Sequence, residues 1–173
     1  MSEVPGCGNS MEFYDWLAKT LPPESTVVEV GVFYGRGLVH LAKVSDFRIY
    51  GVDPFKVENM PYHPGAVDTD EAFHDGCLRN LLENGVDGRV TLIPLPSVEA
   101  AMTFGEHTLD CVFIDADHSY ESVITDIAAW RDKVKPGGYL AGDDYVSPWG
   151  VIQAVDEVFP NRLLMGQTWY VQL

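Results

Sequence analysis

The chain has 173 residues, about one domain, which is enough for a core that buries roughly 70% of the unfolded surface. A net charge of −15 and a pI near 4.4 argue against nucleic acid as a partner, because phosphate binding depends on clustered Lys and Arg. Three cysteines without CxxC spacing predict neither a disulfide scaffold nor a zinc site. No signal peptide and no apolar run of 18 residues is present, which predicts a cytoplasmic protein without a membrane partner.

The N-terminal segment predicts an arm followed by a helix. Residues 1–9 lack a periodic pattern and are interpreted as a loose arm. Ser10 is placed to cap a helix over Met11–Lys19, whose apolar residues share one face, and Pro22-Pro23 follows its end. This helix is also a possible contact surface between copies of the chain.

The first strand is predicted over residues 26–31 and carries the strongest functional pattern. Its β-branched run is typical of a parallel strand covered on both faces. Glu29 is a charge inside this apolar strand and requires a partner. Gly31 and Gly35 allow a sharp turn and the close approach of a ligand. The pattern favours a cofactor site at the carboxyl end of this strand.

Helices and strands then alternate along the chain. Helices are predicted at Arg36–Val44, about Asp70–Glu83, Val98–Met102, Tyr120 to about Val134, and about 149–158. Strands are predicted at Arg48–Val52, Arg89–Ile93, Leu109–Ile114, Tyr139–Gly142, 162–166 and 168–173.

This alternation predicts an α/β fold with a Rossmann-like, doubly wound, mostly parallel seven-stranded sheet that ends in an antiparallel hairpin. We expect one domain over 1–173, made of an N-terminal arm and helix (1–25), a cofactor-binding core (26–160) and an edge hairpin (161–173). Ligands of such sheets bind beyond the carboxyl ends of the strands.

Asp53 ends the second strand, 18 residues after Gly35. A carboxylate there can accept hydrogen bonds from both hydroxyls of a ribose. The alternative is an acid that caps the Asp53-Pro54 turn. The glycines run Gly31-x-x-x-Gly35-x-Gly37, which departs from the dinucleotide spacing and suits a mononucleoside without a pyrophosphate.

Four motifs in register resemble the class I S-adenosylmethionine-dependent methyltransferases. They are Glu-Val-Gly-Val-Phe-Tyr-Gly (29–35), Gly-Val-Asp-Pro (51–54), Phe-Ile-Asp-Ala-Asp-His-Ser-Tyr-Glu (113–121) and Lys-Pro-Gly-Gly-Tyr-Leu-Ala-Gly-Asp-Asp-Tyr (135–145). They are most similar to small bacterial members related to catechol- and caffeoyl-CoA-type O-methyltransferases. The resemblance covers about residues 26–160 and implies the seven-stranded sheet with its final hairpin.

The resemblance also implies roles in binding S-adenosylmethionine. The turn from Gly31 to Gly35 would pass the methionine part of the cofactor, with Glu29 organising the turn or its amino group. Asp53 would hold the ribose, and Tyr34 would flank the site. Ser97 matches the position that contacts adenine, although a serine there also suits a helix cap.

Asp115 ends the fourth strand, and Asp143 and Asp144 end the fifth. Three neighbouring carboxylates repel one another, and a hard divalent cation would relieve the repulsion. In the metal-dependent O-methyltransferases such a group holds Mg²⁺, although Asp144 here stands where those proteins carry an amide. The alternatives are that Asp143 or Asp144 caps the next helix and that Asp115 touches only the cofactor.

His118 is a candidate general base, because the pKa of an imidazole lies near working pH. It would act beside Asp115, which we also count as a catalytic candidate. The alternative for His118 is a hydrogen bond that orients its loop. Tyr120, Tyr145 and Trp149 are interpreted either as the lining of an acceptor pocket or as core residues.

The leading hypothesis is S-adenosylmethionine-dependent methyl transfer to a small hydroxylated acceptor, assisted by Mg²⁺ or a similar cation. Three alternatives remain open: a metal-free methyltransferase with His118 as base, a nicotinamide-dependent oxidoreductase, and a cofactor-binding domain without turnover. The glycine spacing disfavours the oxidoreductase. A homodimer is possible, and no residue pattern identifies the acceptor.

Overall fold

A computed structural model describes residues 10–59, 67, 69–146 and 150–173. Its helices are α1 (Met11–Thr20), α2 (Arg36–Val44), α3 (Asp70–Glu83), α4 (Ser97–Ala101), α5 (Tyr120–Arg131) and α6 (Val151–Val158). Its strands are β1 (Thr26–Val30), β2 (Arg48–Val52), β3 (Val90–Ile93), β4 (Leu109–Ile114), β5 (Val134–Gly142), β6 (Leu163–Met165) and β7 (Thr168–Gln172).

The strands form one sheet in the order β3-β2-β1-β4-β5-β7-β6. The first five are parallel, β7 is antiparallel to β5, and β6 is antiparallel to β7. This confirms the predicted α/β, Rossmann-like fold with its C-terminal hairpin. The strand order reverses between β1 and β4, so the crevice where such sheets bind ligands lies at the carboxyl ends of these two strands.

Helices cover both faces of the sheet because successive strand residues point to opposite faces. On one face, Val27 belongs to an apolar cluster with residues of α1, α2 and α3. On the other, Val28 and Val30 pack in a second cluster with residues of α4, α5 and α6. The continuous apolar run of β1 follows from this double burial.

The boundary between α5 and β5 differs from the prediction. The helical pattern predicted helix to about Val134, but α5 ends at Arg131, and β5 begins at Val134 instead of Tyr139. Val134 pairs with Leu109, and a register shift follows in β4. Gly137 has φ +84°, so the glycines lie within an irregular start of the strand. Pro136-Gly137-Gly138 therefore does not end the helix.

The described helices include none long and apolar enough to cross a membrane. Cys77 and Cys111 are buried free thiols. Ser10 occupies the cap position of α1, but its side chain makes no capping hydrogen bond. The predicted arm over 1–9 and residues 60–66 and 68 of the loop after β2 lie outside the described residues.

Candidate active site

Three predicted site segments meet at one edge of the sheet, where β1, β4 and β5 end. The Asp115 amide donates a hydrogen bond to the Val30 carbonyl at 2.7 Å, and the Asp143 amide donates to the Ile114 carbonyl at 3.1 Å. The backbone thus continues the parallel pairing beyond the last residue of each strand. It brings the turn after β1 beside the acids that follow β4 and β5.

Gly31 is required by the backbone of the neighbouring strand. It adopts φ +90°, and a Cβ atom there would lie 1.9 Å from the Asp115 carbonyl oxygen. No side chain fits at that distance. The sequence had suggested that this glycine admits a ligand; in the structure, the backbone of Asp115 occupies the position of a side chain. The close approach locks the turn to β4.

Glu29 lies under this turn and is only 4% exposed. Its carboxylate faces the first turn of α2, where a Cβ atom on Gly37 would lie 2.4 Å from Glu29 Oε1. Burial, and next the nearby Asp115 carboxylate, raise the pKa of Glu29 well above its ordinary value. Glu29 Oε2 is buried without a hydrogen bond to any described residue. A buried carboxylate oxygen without a hydrogen bond requires a donor, which a ligand or an ordered water can supply.

Tyr14 of α1 is a neighbour that the sequence analysis missed. It is fully buried, and its hydroxyl interacts with Glu29 and lowers the pKa of that carboxyl. Within the described chain, however, Tyr14 Oη makes no hydrogen bond of ordinary geometry. The only sequence signal was a tyrosine on the apolar part of the first helix, and such a residue does not disclose where its hydroxyl points.

Asp53 holds the glycine turn from the end of β2. Its Oδ2 accepts hydrogen bonds from the amides of Val32 and Phe33, both at 3.0 Å, and its Oδ1 accepts from the Phe55 amide at 2.7 Å. Burial raises the pKa of Asp53, and the three amide donors oppose that rise. About four acceptor positions exist on a carboxylate, so roughly one remains for a ligand.

Strained backbone flanks this carboxylate on both sides. Phe33 has φ +52° and Phe55 has φ +49°, although neither is glycine. Bulky residues rarely adopt this left-handed conformation, and it concentrates at functional sites. The hydrogen bonds from these two residues to Asp53 help to hold the conformation. Asp53 therefore organises the glycine turn and keeps capacity for one further donor. Its bond from the Phe55 amide also caps the Asp53-Pro54 turn, which was the alternative role.

Two other predicted cofactor contacts, Tyr34 and Gly35, lie against α3. Tyr34 is 7% exposed, and its ring packs against Phe73 of α3 with the centroids 5.3 Å apart. Its carbonyl accepts a hydrogen bond from Asn80 at 3.0 Å. Gly35 begins α2 at φ +82°, close to Cys77. The Tyr34 hydroxyl is buried and makes no hydrogen bond to the described residues.

Ser97 belongs to a closed hydrogen-bond network between α4 and α5. Its hydroxyl donates to Asp126 Oδ1 at 2.5 Å and accepts from Trp130 Nε1 at 2.9 Å. It is the first residue of α4, whereas Pro96 takes the cap position, so the helix-cap alternative for Ser97 is wrong. Its hydroxyl proton is already used, which leaves the second lone pair of Oγ and the backbone for the predicted adenine contact.

The acids after β4 and β5 group differently from the predicted set. Ligand atoms of Asp115, His118 and Asp144 all lie within 4.8 Å of one another. His118 Nε2 is 3.6 Å from Asp115 Oδ1 and 3.3 Å from Asp144 Oδ2. The residue that joins the two carboxylates is thus the predicted base. Sequence position had assigned His118 and the metal ligands to separate roles.

Asp143 lies outside that group of three. It is 5% exposed, and its Oδ1 makes no hydrogen bond to the described part of the chain. Burial, followed by the Asp115 carboxylate, raises the pKa of Asp143 from 3.8 to about 6. Asp144 has φ +55°, which turns its side chain in a direction that regular strand geometry would not give. Adjacent aspartates therefore have different surroundings.

Hydrogen bonds and side-chain charges hold the loop after β4 in place. Hydrogen bonding to Asp115 raises the pKa of His118 most, with the Asp144 carboxylate adding to the effect. Asp117 accepts from the Ser119 amide at 2.7 Å, which holds the turn before α5. Ser119 caps α5 by accepting from the Ser122 amide. The loop that carries His118 is anchored on both sides.

The predicted acceptor-lining tyrosines point their hydroxyls to α6. Tyr120 donates to Glu157 Oε2 at 2.7 Å, and Tyr145 donates to Asp156 Oδ1 at 2.6 Å. Arg162 also bonds the Tyr145 hydroxyl and lies over its ring. These contacts fix the segment after β5. Trp149 falls outside the described residues.

Comparison with known proteins gives one family match. The family described as "Methyltransferase domain" matches residues 28–145, which include the turn after β1 and the acids after β4 and β5. A viral protein from Acanthamoeba polyphaga mimivirus, described as uncharacterized, is 26% identical over 133 residues. That alignment covers 75% of this chain and 56% of the viral protein, so the chain spans little more than half the length of that relative.

Solved structures share the fold at low sequence identity. The O-methyltransferase TomG from Streptomyces achromogenes, in complex with SAM, has a TM-score of 0.67 at 15% identity, covering 98% of this chain and 82% of TomG. An RNA methyltransferase from Salinibacter ruber, in complex with S-adenosyl-L-homocysteine, has a TM-score of 0.65 at 13% identity. That match covers 98% of this chain and 93% of the other.

Proposed function

This chain belongs to the methyltransferase-domain family, and from that premise we propose that it transfers a methyl group from S-adenosylmethionine to a hydroxyl of a small acceptor. We further propose that a divalent cation assists the transfer. The observation that carries the proposal is the juxtaposition of the Asp115–His118–Asp144 group with the turn after β1. It joins a candidate cation site to a candidate cofactor site at one sheet edge.

The chemistry of the donors at the turn suits S-adenosylmethionine. Asp53 retains about one acceptor position, which suits one ribose hydroxyl. Glu29 carries a buried oxygen without a hydrogen bond in the described chain, which suits an ammonium group. For adenine, the proposal uses the backbone of Ser97 at the start of α4. Gly31 and Gly35 begin and end the turn between these groups, both at positive φ.

The Asp115–His118–Asp144 group offers two carboxylates and one imidazole to a cation. Carboxylates alone suit Mg²⁺, whereas an imidazole adds affinity for softer divalent ions such as Mn²⁺. A bound divalent cation lowers the pKa of an acceptor hydroxyl and orients its oxygen. Asp143 is an alternative ligand that the sequence pattern predicts. Its buried, raised-pKa carboxyl would gain from a nearby positive charge.

The protein's own residues have three tasks in this proposal. Asp53 and the backbone at Gly31 hold the turn rigid, so that a sulfonium is oriented for in-line attack. Asp115 and Asp144 orient His118 between them. When no cation occupies its Nε2, neutral His118 can instead accept the proton that the acceptor hydroxyl loses.

Calorimetry with S-adenosylhomocysteine tests the cofactor proposal. We expect saturable binding at one site per chain, weakened about tenfold or more by Asp53→Ala, because the turn loses three hydrogen bonds. Glu121→Ala, on the exposed side of α5, is a control that should bind as the wild type does. Folded wild-type protein that produces no binding heat would contradict the cofactor proposal.

Titration with Mn²⁺ tests the cation proposal separately. We expect Asp144→Ala and His118→Ala each to weaken binding by about tenfold or more, with Asp143→Ala having a smaller effect. The reverse order, with Asp143→Ala abolishing binding and His118→Ala neutral, would favour the set of three aspartates. Wild-type affinity in all three variants would reject a cation site here.

A metal-free transfer with His118 as base is a second candidate, favoured by one observation. His118 lies between two carboxylates that raise its pKa, so it can neutralise them as an imidazolium without any cation. The base must then lose its proton, so this route predicts activity that rises with pH through the raised pKa. Activity that survives a chelator and is lost in His118→Ala would select this candidate.

We favour a small acceptor over RNA. The net charge of −15 leaves little basic surface for a phosphate backbone. The structural neighbours act on both kinds of acceptor, since one is an RNA methyltransferase. Methyl transfer to RNA that weakens steeply as salt increases would overturn this choice.

A further inference from the structure

Two neighbouring side chains in the core bury oxygens that lack hydrogen bonds of ordinary geometry within the described residues. They are Tyr14 Oη, on a fully buried residue, and Glu29 Oε2. The two side chains interact, because each one changes the pKa of the other. Burying polar oxygens in this state is unfavourable, so a native protein retains them where a ligand or an ordered water completes the arrangement.

The Tyr14 ring cannot turn away to find another partner. Its centroid lies 5.0 Å from that of Phe113 on β4 and 6.3 Å from that of Phe13, within the aromatic packing between α1 and the sheet. Phe113 lies beside Glu29 in the register of β4 and β1. The aromatic packing therefore directs the Tyr14 hydroxyl toward Glu29 and the carboxyl end of β1.

The pair has the chemistry of a cation subsite. A carboxylate and a phenol oxygen together present acceptors in a low-dielectric region, and Asp115 adds a further negative charge nearby. A neutral donor would leave this charge uncompensated, whereas an ammonium supplies both positive charge and three N–H donors. The methionine part of S-adenosylmethionine ends in such an ammonium.

We propose that Tyr14 is a positioning residue that orients the Glu29 carboxylate for the cofactor ammonium, which makes α1 part of the cofactor site. The inference rests on the proposed function. Tyr14 precedes the family match, which begins at residue 28, so the match itself assigns it nothing. The packing of α1 on the sheet would thereby be coupled to recognition of the methionine end of the cofactor.

Two ligands separate this role from general stabilisation. S-adenosylhomocysteine carries the ammonium, and 5′-methylthioadenosine has the same nucleoside without the amino-acid part. By calorimetry, Tyr14→Phe should weaken S-adenosylhomocysteine binding about tenfold and change 5′-methylthioadenosine binding less than about twofold. Tyr139→Phe is the matched control, because its ring packs on Trp16 in the same aromatic region, at 5.1 Å. It should alter neither affinity.

The coupling to Glu29 is tested by a double-mutant cycle. In a Glu29→Gln background, Tyr14→Phe should have almost no further effect on S-adenosylhomocysteine binding. Equal loss for both ligands, no loss for either, or full additivity with Glu29→Gln would overturn the inference. Wild-type protein that binds neither ligand would instead contradict the proposed function, and the inference with it.

Discussion

Two buried polar regions of this protein differ in how fully their hydrogen bonds are satisfied. In the α4–α5 network, Ser97 donates to Asp126 and accepts from Trp130. At the carboxyl ends of β1 and β5, by contrast, Glu29 Oε2 and Asp143 Oδ1 have no hydrogen bond within the described chain. The first region is complete without a ligand, and the second is not. Burial of a polar side chain therefore does not by itself identify a site; an incomplete hydrogen-bond set is the feature that requires a ligand or an ordered water.

The largest expected effect comes from disturbing the close contact between Gly31 and the Asp115 backbone. This contact supports the polar region at the carboxyl ends of β1 and β5. Gly31→Ala would place a methyl group 1.9 Å from the Asp115 carbonyl, on backbone that cannot move aside locally. We expect a loss of about 4 kcal/mol or more in the free energy of unfolding. Urea denaturation measures it.

Gly85→Ala is the control for Gly31→Ala. Gly85 also has positive φ, +70°, but nothing lies within 4 Å of an added Cβ. Its cost should be the conformational strain alone, about 1 kcal/mol. Similar losses in the two variants would mean that the contact with Asp115 is unimportant.

Removing a member of the hydrogen-bond network between α4 and α5 should have an intermediate effect on stability. Ser97→Ala removes the partner of both Trp130 Nε1 and Asp126, and leaves two buried polar groups unpaired. We expect a loss of about 2 kcal/mol in the free energy of unfolding, measured by urea denaturation. A loss below about 0.5 kcal/mol would indicate that the network is not the complete unit described above.

The smallest expected effect concerns the pH dependence of stability. The pKa of Asp143 is raised in the folded protein from 3.8 to about 6, so the unfolded chain releases this proton first as pH rises. Between these values the folded state loses stability with rising pH, by about 1–3 kcal/mol in total. The destabilisation remains at pH 7.

Asp143→Asn should remove this loss. Thermal unfolding without divalent cations should show the variant more stable than the wild type at pH 7, and the difference should shrink toward pH 4. A variant that is less stable at pH 7 would mean that neighbouring groups stabilise the charged Asp143 carboxylate, which contradicts the raised pKa.

Sequence patterns predicted the backbone of this protein better than its side-chain contacts. The bounds of α2, β2, α3 and β4 agree with the prediction, because apolar periodicity directly reflects which faces are buried. The predicted boundary between α5 and β5 was wrong because Val134 is apolar and fits both the helical pattern of α5 and the strand pattern of β5. Motif order also predicted which acids reach the sheet edge, since parallel strands end there.

Sequence spacing could not predict which acids face one another. Asp143 and Asp144 are adjacent, yet the left-handed backbone at Asp144 brings it to His118 and leaves Asp143 buried beside the group. Ser97 was predicted to contact adenine from its position alone. Its hydrogen bonds to α5 depend on residues about 30 positions away, which the local sequence does not disclose. Tyr14 was missed because a hydroxyl direction depends on tertiary packing.

A crystal structure of the protein with S-adenosylhomocysteine and Mn²⁺ tests the central claim most directly. We expect cofactor density along the turn after β1. We also expect an anomalous peak bound by Asp115, His118 and Asp144. Cofactor density elsewhere, or Mn²⁺ absent from this group in crystals that contain the bound cofactor, would contradict the claim that the incomplete region joins a cofactor site to a cation site.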